Sequence, residues 1–273
     1  MYPVAVYGRI GRGMSGGSTT ILIEPDWAAI FAQTHLTAQT VFSDPRIHVW
    51  RNLSERQNAT FDFVGADGGS HRWHIKRYLA GHAAEVGREV RGIGLLREHG
   101  IATVALIAHG TLSDGRAFLI TDDLTGFAPA DKLPADVLRS VLEAIVELAA
   151  LLHAEGLHHQ DLYLCHFFVR TDKGSHQNPV HLIDAGRVRC LPPGPLRYRW
   201  IVKDLAQLMF SLRRLDLSAD ADRVMGRYCD LRRVVLPRLL RWCVGRKVNR
   251  IAAHDRRLSY KQPGRDVSLL RKR

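Results

Sequence analysis

Five residues of this chain stand in an order that could move a phosphoryl group. Two are aspartates late in the sequence, Asp161 in HHQDLYLCHFFV and Asp184 in VHLIDAGRV. Asp161 directly follows a long helical stretch and precedes an apolar strand, which puts it on a loop at the mouth of a helical lobe. A carboxylate there can accept the proton of a hydroxyl that attacks a γ-phosphate. Asp184 closes a strand, where an acid can bind a divalent ion bridging phosphates, and Gly186 lets the chain turn away. His166, five residues beyond Asp161, reaches the same region. Lys76 on a strand and Glu89 on the following helix complete the set. Val86, Glu89, Ile93 and Leu96 are spaced by 3, 4 and 3, so Glu89 lies on the apolar face. A carboxylate on a buried face requires a cation, and Lys76 is the natural partner. In a phosphotransferase such a pair holds the lysine against ATP phosphates; taken alone, the spacing fits a rim salt bridge between surface groups better.

These residues need elements to hold them. Ile47 to Phe63 and Arg72 to Tyr78 read as two strands joined by GADGGS, with Trp73, Ile75 and Arg77 on one side and Arg72, His74 and Lys76 on the other. AAEVGREVRGIGLLREHG reads as a helix that ends at His99 and Gly100, and IATVALIAHG and RAFLITDDL as strands separated by the turn LSDG. The longest helix is expected after Pro134, where Leu138, Val141, Ile145, Leu148 and Leu152 recur at helical spacing. FFVR and VHLID then pair around TDKGSHQNP, and helices fill the chain from Tyr198 on. Strands first and helices later imply an α+β protein of two lobes. The expected divisions are a disordered tail at 1–26, an N-terminal segment and β-rich lobe at 27–121, a helical lobe at 122–262 and a basic tail at 263–273. Trp27 to Phe42 reads as a short helical segment outside the catalytic core. Asp122, Asp123 and Leu124 follow a buried strand and form a hinge whose backbone can bond adenine. Asp204 either braces the catalytic loop from below or caps a helix in solvent.

HHQDLYLCHFF and LIDAGRVR together resemble the paired signatures of the lipopolysaccharide-core kinases, the Kdo/WaaP family of Kdo and heptose kinases. The resemblance runs from about Trp27 to the Lys247 region and takes in the REV…LLREHGI helix, FLITDDL and RWIVKDLAQLMFSL. It implies a protein-kinase-like fold, ATP and Mg²⁺ as cofactors, and a sugar hydroxyl of a glycolipid as acceptor. By resemblance Asp161 and His166 are catalytic, Lys76, Glu89 and Asp184 bind the nucleotide beside the Asp122 and Leu124 hinge, and Asp184 and His166 face the metal. The pattern departs from the family in three places. Gln160 stands where Arg is usual, Ala185–Gly186 replaces a bulkier pair, and no GxGxxG joins the first strands, so LSERQNAT must cover the phosphates. GRIGRGMSGG sits too far upstream of Lys76 to do so, and Met14 is an alternative start.

Composition bounds the alternatives. The 273 residues carry a formal net charge of +12, concentrated from Arg187 onward, where 23 Lys/Arg face seven Asp/Glu. Such a surface fits an anionic partner, for which membrane lipid is preferred over nucleic acid, since no recognised nucleic-acid motif or aromatic platform accompanies the charge. No stretch is apolar enough to span a bilayer and no secretory leader is evident, so a cytoplasmic protein is expected, with a peripheral inner-membrane contact. The four cysteines form no CxxC pair, and His153, His158, His159 and His166 lack zinc-site spacing. His159 instead fits a structural role, anchoring the catalytic loop through a backbone hydrogen bond. A kinase of proteins or small alcohols, and a pseudokinase scaffold for an anionic partner, remain as rival readings.

Overall fold

Period-two burial builds the first half of the chain. The computed structural model describes residues 18–66, 68–171 and 180–261. It begins with β1 (Thr20–Ile23), α1 (Ala28–Thr34), β2 (Ile47–Asn52), β3 (Arg56–Val64), β4 (Ser70–Tyr78) and α2 (Ala83–Glu98). β5 (Leu106–Thr111) and β6 (Ala117–Asp122) complete an antiparallel sheet ordered β1-β5-β6-β4-β3-β2. One face of this sheet, with Phe61, Trp73, Ile75, Phe118 and Ile120, is sealed by Phe31, Leu36, Ala38 and Val41 of the N-terminal segment. Phe31 stacks on Trp73 at 5.7 Å. The opposite face carries Lys76, Tyr78 and Leu119 toward α2 and the second lobe.

The second lobe follows from a helical period. It comprises β7 (Phe127–Pro129), α3 (Ala135–Ala154), β8 (Leu157–His158), β9 (Phe167–Arg170), β10 (Val180–Leu182), β11 (Arg189–Cys190), α4 (Arg197–Arg214), α5 (Ser218–Leu231) and α6 (Pro237–Lys261). Leu138, Leu142, Ile145, Ala149 and Leu152 of α3 are buried in one core with Leu205, Leu208 and Leu212 of α4 and Val224 and Tyr228 of α5. Two short sheets, β10-β9-β7 and β11-β8, complete this lobe.

Several expectations change. The tail expected to residue 26 instead supplies β1, whose Thr20 to Ile23 pair with Thr111 to Ala108; residues 1–13 and 263–273 lie outside the described residues. Ile47 to Phe63 is two strands, because Leu53 to Glu55 make a turn closed by the Leu53 N–H on the Arg56 carbonyl at 2.8 Å. The second of the paired late strands stops at Leu182, and Ile101 to Ala105 precede β5 without joining it. The longest helix is α6 with 25 residues, not α3 with 20. Its many arginines hid that length, since a largely solvated helix shows a narrow apolar stripe.

Candidate active site

The loop of residues 158–166, which carries Asp161 and His166, hangs from the side of α4. Asp204, Gln207 and Ser211 recur at helical spacing on an otherwise apolar face, and all three are buried. The Asp204 carboxylate accepts the N–H of His159 at 2.7 Å and of Gln160 at 2.8 Å. Gln207 Oε1 accepts the Leu162 N–H at 3.0 Å and Ser211 Oγ the Leu164 N–H at 3.2 Å. Loop N–H groups that no helix or strand could satisfy are thus met by one stripe of side chains. Burial alone would raise the Asp204 pKa, but bonds from His153 and the loop amides more than offset it, and the carboxylate stays ionised. Of the two readings of Asp204, the brace from below is the one seen.

The four histidines go separate ways. His153 bonds Tyr228 Oη at 2.8 Å, His158 stacks on Trp200 at 4.7 Å, and His159 Nε2 donates to the Ile183 carbonyl at 3.0 Å. Among the described residues no three His, Cys, Asp or Glu side chains converge on one metal-sized point. His166 turns into the cleft, its Nδ1 donating to the Asp161 carbonyl at 2.6 Å and its Nε2 lying 3.6 Å from Asp184 Oδ2. Burial opposes its charge, yet the Cys165 thiol and the Asp184 carboxylate hold its pKa up at about 9.

Across the cleft, Lys76 and Glu89 are in contact. Lys76 Nζ lies 2.5 Å from Glu89 Oε1 and 3.2 Å from Asp184 Oδ1, while Tyr78 Oη donates to Glu89 Oε2 at 3.2 Å. Burial works against the Lys76 charge, but Asp184 and Glu89 outweigh it and hold the ammonium above the usual lysine range. In return Lys76, helped by His166, keeps the Asp184 carboxyl far below the usual carboxylate range. Asp184 adopts left-handed backbone, φ 59°, and so does Gln160, φ 69°. Such angles in non-glycine residues store strain that surrounding contacts must hold. At Asp184 the contact is α2: a Cβ on Gly92 would collide with the Ala185 carbonyl. A glycine on α2 and a small residue after Asp184 therefore allow the helix to seat Glu89 against the turn. The small Ala185, a departure from the family pattern, is sterically matched by Gly92.

Asp184 lies between two cavities. The first, about 370 Å³, is lined by Ala59, Lys76, Asp122, Leu124, His166 and Asp184, among others. Asp122 and Asp123 spend their N–H groups on the Ala105 and Arg72 carbonyls, at 3.0 and 3.1 Å. That leaves the Leu124 N–H without a hydrogen bond among the described residues. The second cavity, about 560 Å³, holds Asp161, Asp184, Arg56, Arg88, Arg187 and Arg189. Asp161 is paired with Arg187, whose Nη1 lies 3.0 Å from Oδ2 and 3.2 Å from Oδ1. Gln160 Nε2 donates to the Arg187 carbonyl at 3.1 Å and so ties the catalytic loop to the turn after Asp184.

Sequence reasoning overlooked Arg56, Gln207, Ser211 and Gly92. Arg56 opens β3 and lines both cavities, close to the Tyr78 ring at 5.9 Å. The signals were an arginine in the turn replacing a glycine-rich loop, and polar residues at positions 204, 207 and 211 on an apolar helix face. A β-bulge at Trp50 sits beside the first cavity, where bulges commonly re-aim side chains.

Comparison with known proteins fits this geometry. Residues 49–228 match the model of the lipopolysaccharide kinase (Kdo/WaaP) family. The lipopolysaccharide core heptose(I) kinase WaaP of Pseudomonas aeruginosa is 30% identical over 146 residues, 48% of this chain and 54% of that protein, so the match spans about half of the relative's length. The protein of the same name from Escherichia coli is 27% identical over 195 residues, 62% of this chain and 72% of that protein. A solved structure of WaaP in complex with acyl carrier protein superposes with a TM-score of 0.62 at 23% identity, covering 85% of this chain and 98% of that one. An aminoglycoside-3'-phosphotransferase of type VIII superposes with a TM-score of 0.52 at 18% identity over 75% of this chain and 97% of that one. The fold is thus the two-lobed, protein-kinase-like α+β fold. With the family model spanning both signatures and the residues between them, the chain belongs to the lipopolysaccharide kinase (Kdo/WaaP) family.

Proposed function

We propose that this protein transfers the γ-phosphoryl group of ATP to a sugar hydroxyl, on a heptose or Kdo, of a lipopolysaccharide-type glycolipid at the inner membrane face. The observation that carries this reading is the meeting of Lys76, Glu89 and Asp184 at the boundary of two cavities, with Asp161 in the second. When bound, ATP and Mg²⁺ would supply the activated phosphoryl group and the charge that offsets its oxygens. The residues fit such a pair. An ionised Asp184 offers the sparse carboxylate ligation that magnesium takes when phosphates and water complete its shell. His166 would share the ion when neutral and face phosphate oxygens when protonated. Lys76, fixed by Glu89, and Arg56 would hold the phosphates, and the Leu124 N–H and Asp122 backbone would take the adenine edge. Asp161 would receive the acceptor hydroxyl's proton. Mass spectrometry of the host's glycolipids with and without the gene tests the acceptor. The expected result is a loss of about 80 Da, one phosphate. Unaltered glycolipid, with ADP release on another alcohol, would favour the small-alcohol or protein-kinase reading.

The membrane contact is assigned to the C-terminal face. No helix among the described residues is long and apolar enough to cross a membrane. A groove of about 380 Å³ is lined by Tyr198 of α4, Val234 to Leu236, and Leu239 and Cys243 of α6, with Arg197, Arg232 and Arg233 around it. Val235 is 90% exposed and Trp242 57%. Apolar side chains among arginines suit an anionic bilayer surface. Co-sedimentation with phosphatidylglycerol vesicles should be lost in the Leu236→Glu, Leu239→Glu double variant. Wild-type protein that ignores vesicles and co-elutes with acyl carrier protein would move the groove to that class of partner.

A further inference from the structure

The pairing of Arg187 with Asp161 has a consequence for what the enzyme does when its acceptor cavity is empty. Both Asp161 oxygens lie within 3.2 Å of Arg187 Nη1, so the guanidinium stands against the carboxylate that an acceptor hydroxyl has to reach. The Arg187 side chain is 64% exposed and is held by this one carboxylate, so it can swing out at little steric cost. Its backbone does not follow, because Gln160 donates to its carbonyl at 3.1 Å. The cavity into which it would swing is lined by the cations Arg56, Arg88 and Arg189 and by the acids Glu55, Glu85 and Glu89. Arg189 spends its Nη1 on the Val188 and Gly186 carbonyls, at 2.6 and 3.5 Å, and on no carboxylate among the described residues. Burial first, and then the neighbouring Arg91 and Arg88 guanidiniums, push its pKa down. Arg88 itself is engaged by Glu85.

We propose that Arg187 is a latch on the catalytic carboxylate: it covers Asp161 until an acceptor bearing its own anionic group beside the reacting hydroxyl draws the guanidinium away toward Arg189. The inference rests on the phosphotransferase reading above and extends it to acceptor selection. With the latch closed, hydrolysis is slow. In that side reaction a water oxygen bonds the γ-phosphorus and its proton goes to Asp161. The bond from phosphorus to the β,γ-bridging oxygen breaks, and ADP and inorganic phosphate leave. With the latch open, the acceptor hydroxyl occupies the place of that water. A charge-assisted contact of this kind is lost at a cost of about tenfold in binding. Arg187 is then a positioning and selectivity residue that acts through Asp161.

The test uses the full chain, ATP, Mg²⁺ and one defined probe: dephosphorylated lipopolysaccharide core oligosaccharide, either native or with its carboxylates converted to methyl esters. In Arg187→Gln, ADP release without oligosaccharide should rise about tenfold, and KM for the native oligosaccharide should rise by a similar factor. Wild-type protein should lose that affinity on esterified oligosaccharide, whereas Arg187→Gln should not distinguish the two forms. The double variant Arg187→Gln, Asp161→Asn should lose the added hydrolysis, a readout that a purely structural role would leave unmoved. Wild-type turnover on the oligosaccharide, with acceptor-free hydrolysis and KM both unchanged in Arg187→Gln, would overturn the latch and leave the kinase reading standing. Absence of ADP release from wild type under every condition would overturn both.

Discussion

Two carboxylates one loop apart, Asp204 under the catalytic loop and Asp184 above it, are both held ionised, by opposite means. Asp204 is fully buried, with two loop amides and His153 around it, and its backbone is ordinary helix. Asp184 keeps 35% of its side chain exposed, sits on strained left-handed backbone and is held by two cations, Lys76 and His166. The lower site is saturated and closed. The upper one retains lone pairs, an open side and stored strain, which is what a group that must take up another ligand requires. Burial alone would rank Asp204 the more important, yet exposure combined with cationic neighbours is the feature on which the proposed role of Asp184 rests.

Neutralising each acid should separate the two regions most sharply. Asp184→Asn should abolish phosphotransfer, by roughly 10³-fold or more given the size of such electrostatic contributions. The urea midpoint should change little, because Lys76 retains Glu89. Asp204→Asn should do the reverse. Placing an amide against loop N–H groups and leaving His153 without its anion costs about 3 kcal/mol of stability. Activity per folded molecule should stay within a few-fold. A variant pair that moved both quantities together would erase the distinction.

Asp161→Ala should cut transfer by roughly 10²-fold while nucleotide affinity, read from the melting shift with ATP and Mg²⁺, barely changes. Lys76→Ala should damage that shift as well, since it acts on the phosphate side. Gly92→Ala tests the seat between α2 and the Asp184 turn. An added methyl that meets backbone should cost about 1–3 kcal/mol and depress activity beyond what the lost stability explains, because Glu89 moves with the helix.

The smallest effect concerns pH. Burial pushes His158 down to about 4 in the folded protein, whereas in the unfolded chain it titrates near 6.5. The unfolded state therefore binds the extra proton first, and stability falls as pH drops from about 6.5 toward 4. Asp204, whose folded pKa lies below its ordinary value, adds a second loss at lower pH. His158→Asn should flatten the upper part of that slope in urea titrations at stepped pH. An unchanged slope would place the responsible group elsewhere.

Much of the site was legible because its parts have local signatures. Lys76 alternates with buried neighbours on β4, Glu89 interrupts an apolar helical face, Asp161 lies on the loop before the apolar β9, and Asp184 follows β10 by two residues. Those patterns follow from periods of 2 and 3.6, which any contiguous stretch displays. The division of Ile47 to Phe63 was hidden because the turn at Leu53 to Glu55 uses no glycine or proline, and β1 escaped notice because strand pairing with residues some 90 positions away leaves little trace in four residues.

The amino-acid order by itself determined the two-lobed fold class, the helical face that carries Glu89, and the family signature around Asp161 and Asp184. Only the tertiary structure decided that Asp204, Gln207 and Ser211 meet four loop N–H groups, that Gly92 admits the Ala185 carbonyl, and that Arg187 covers Asp161. The reason is physical. Periodicity is a property of neighbours along one element, whereas these contacts join residues 26 to 93 positions apart. Their geometry exists only after two elements have packed, and no local preference encodes it.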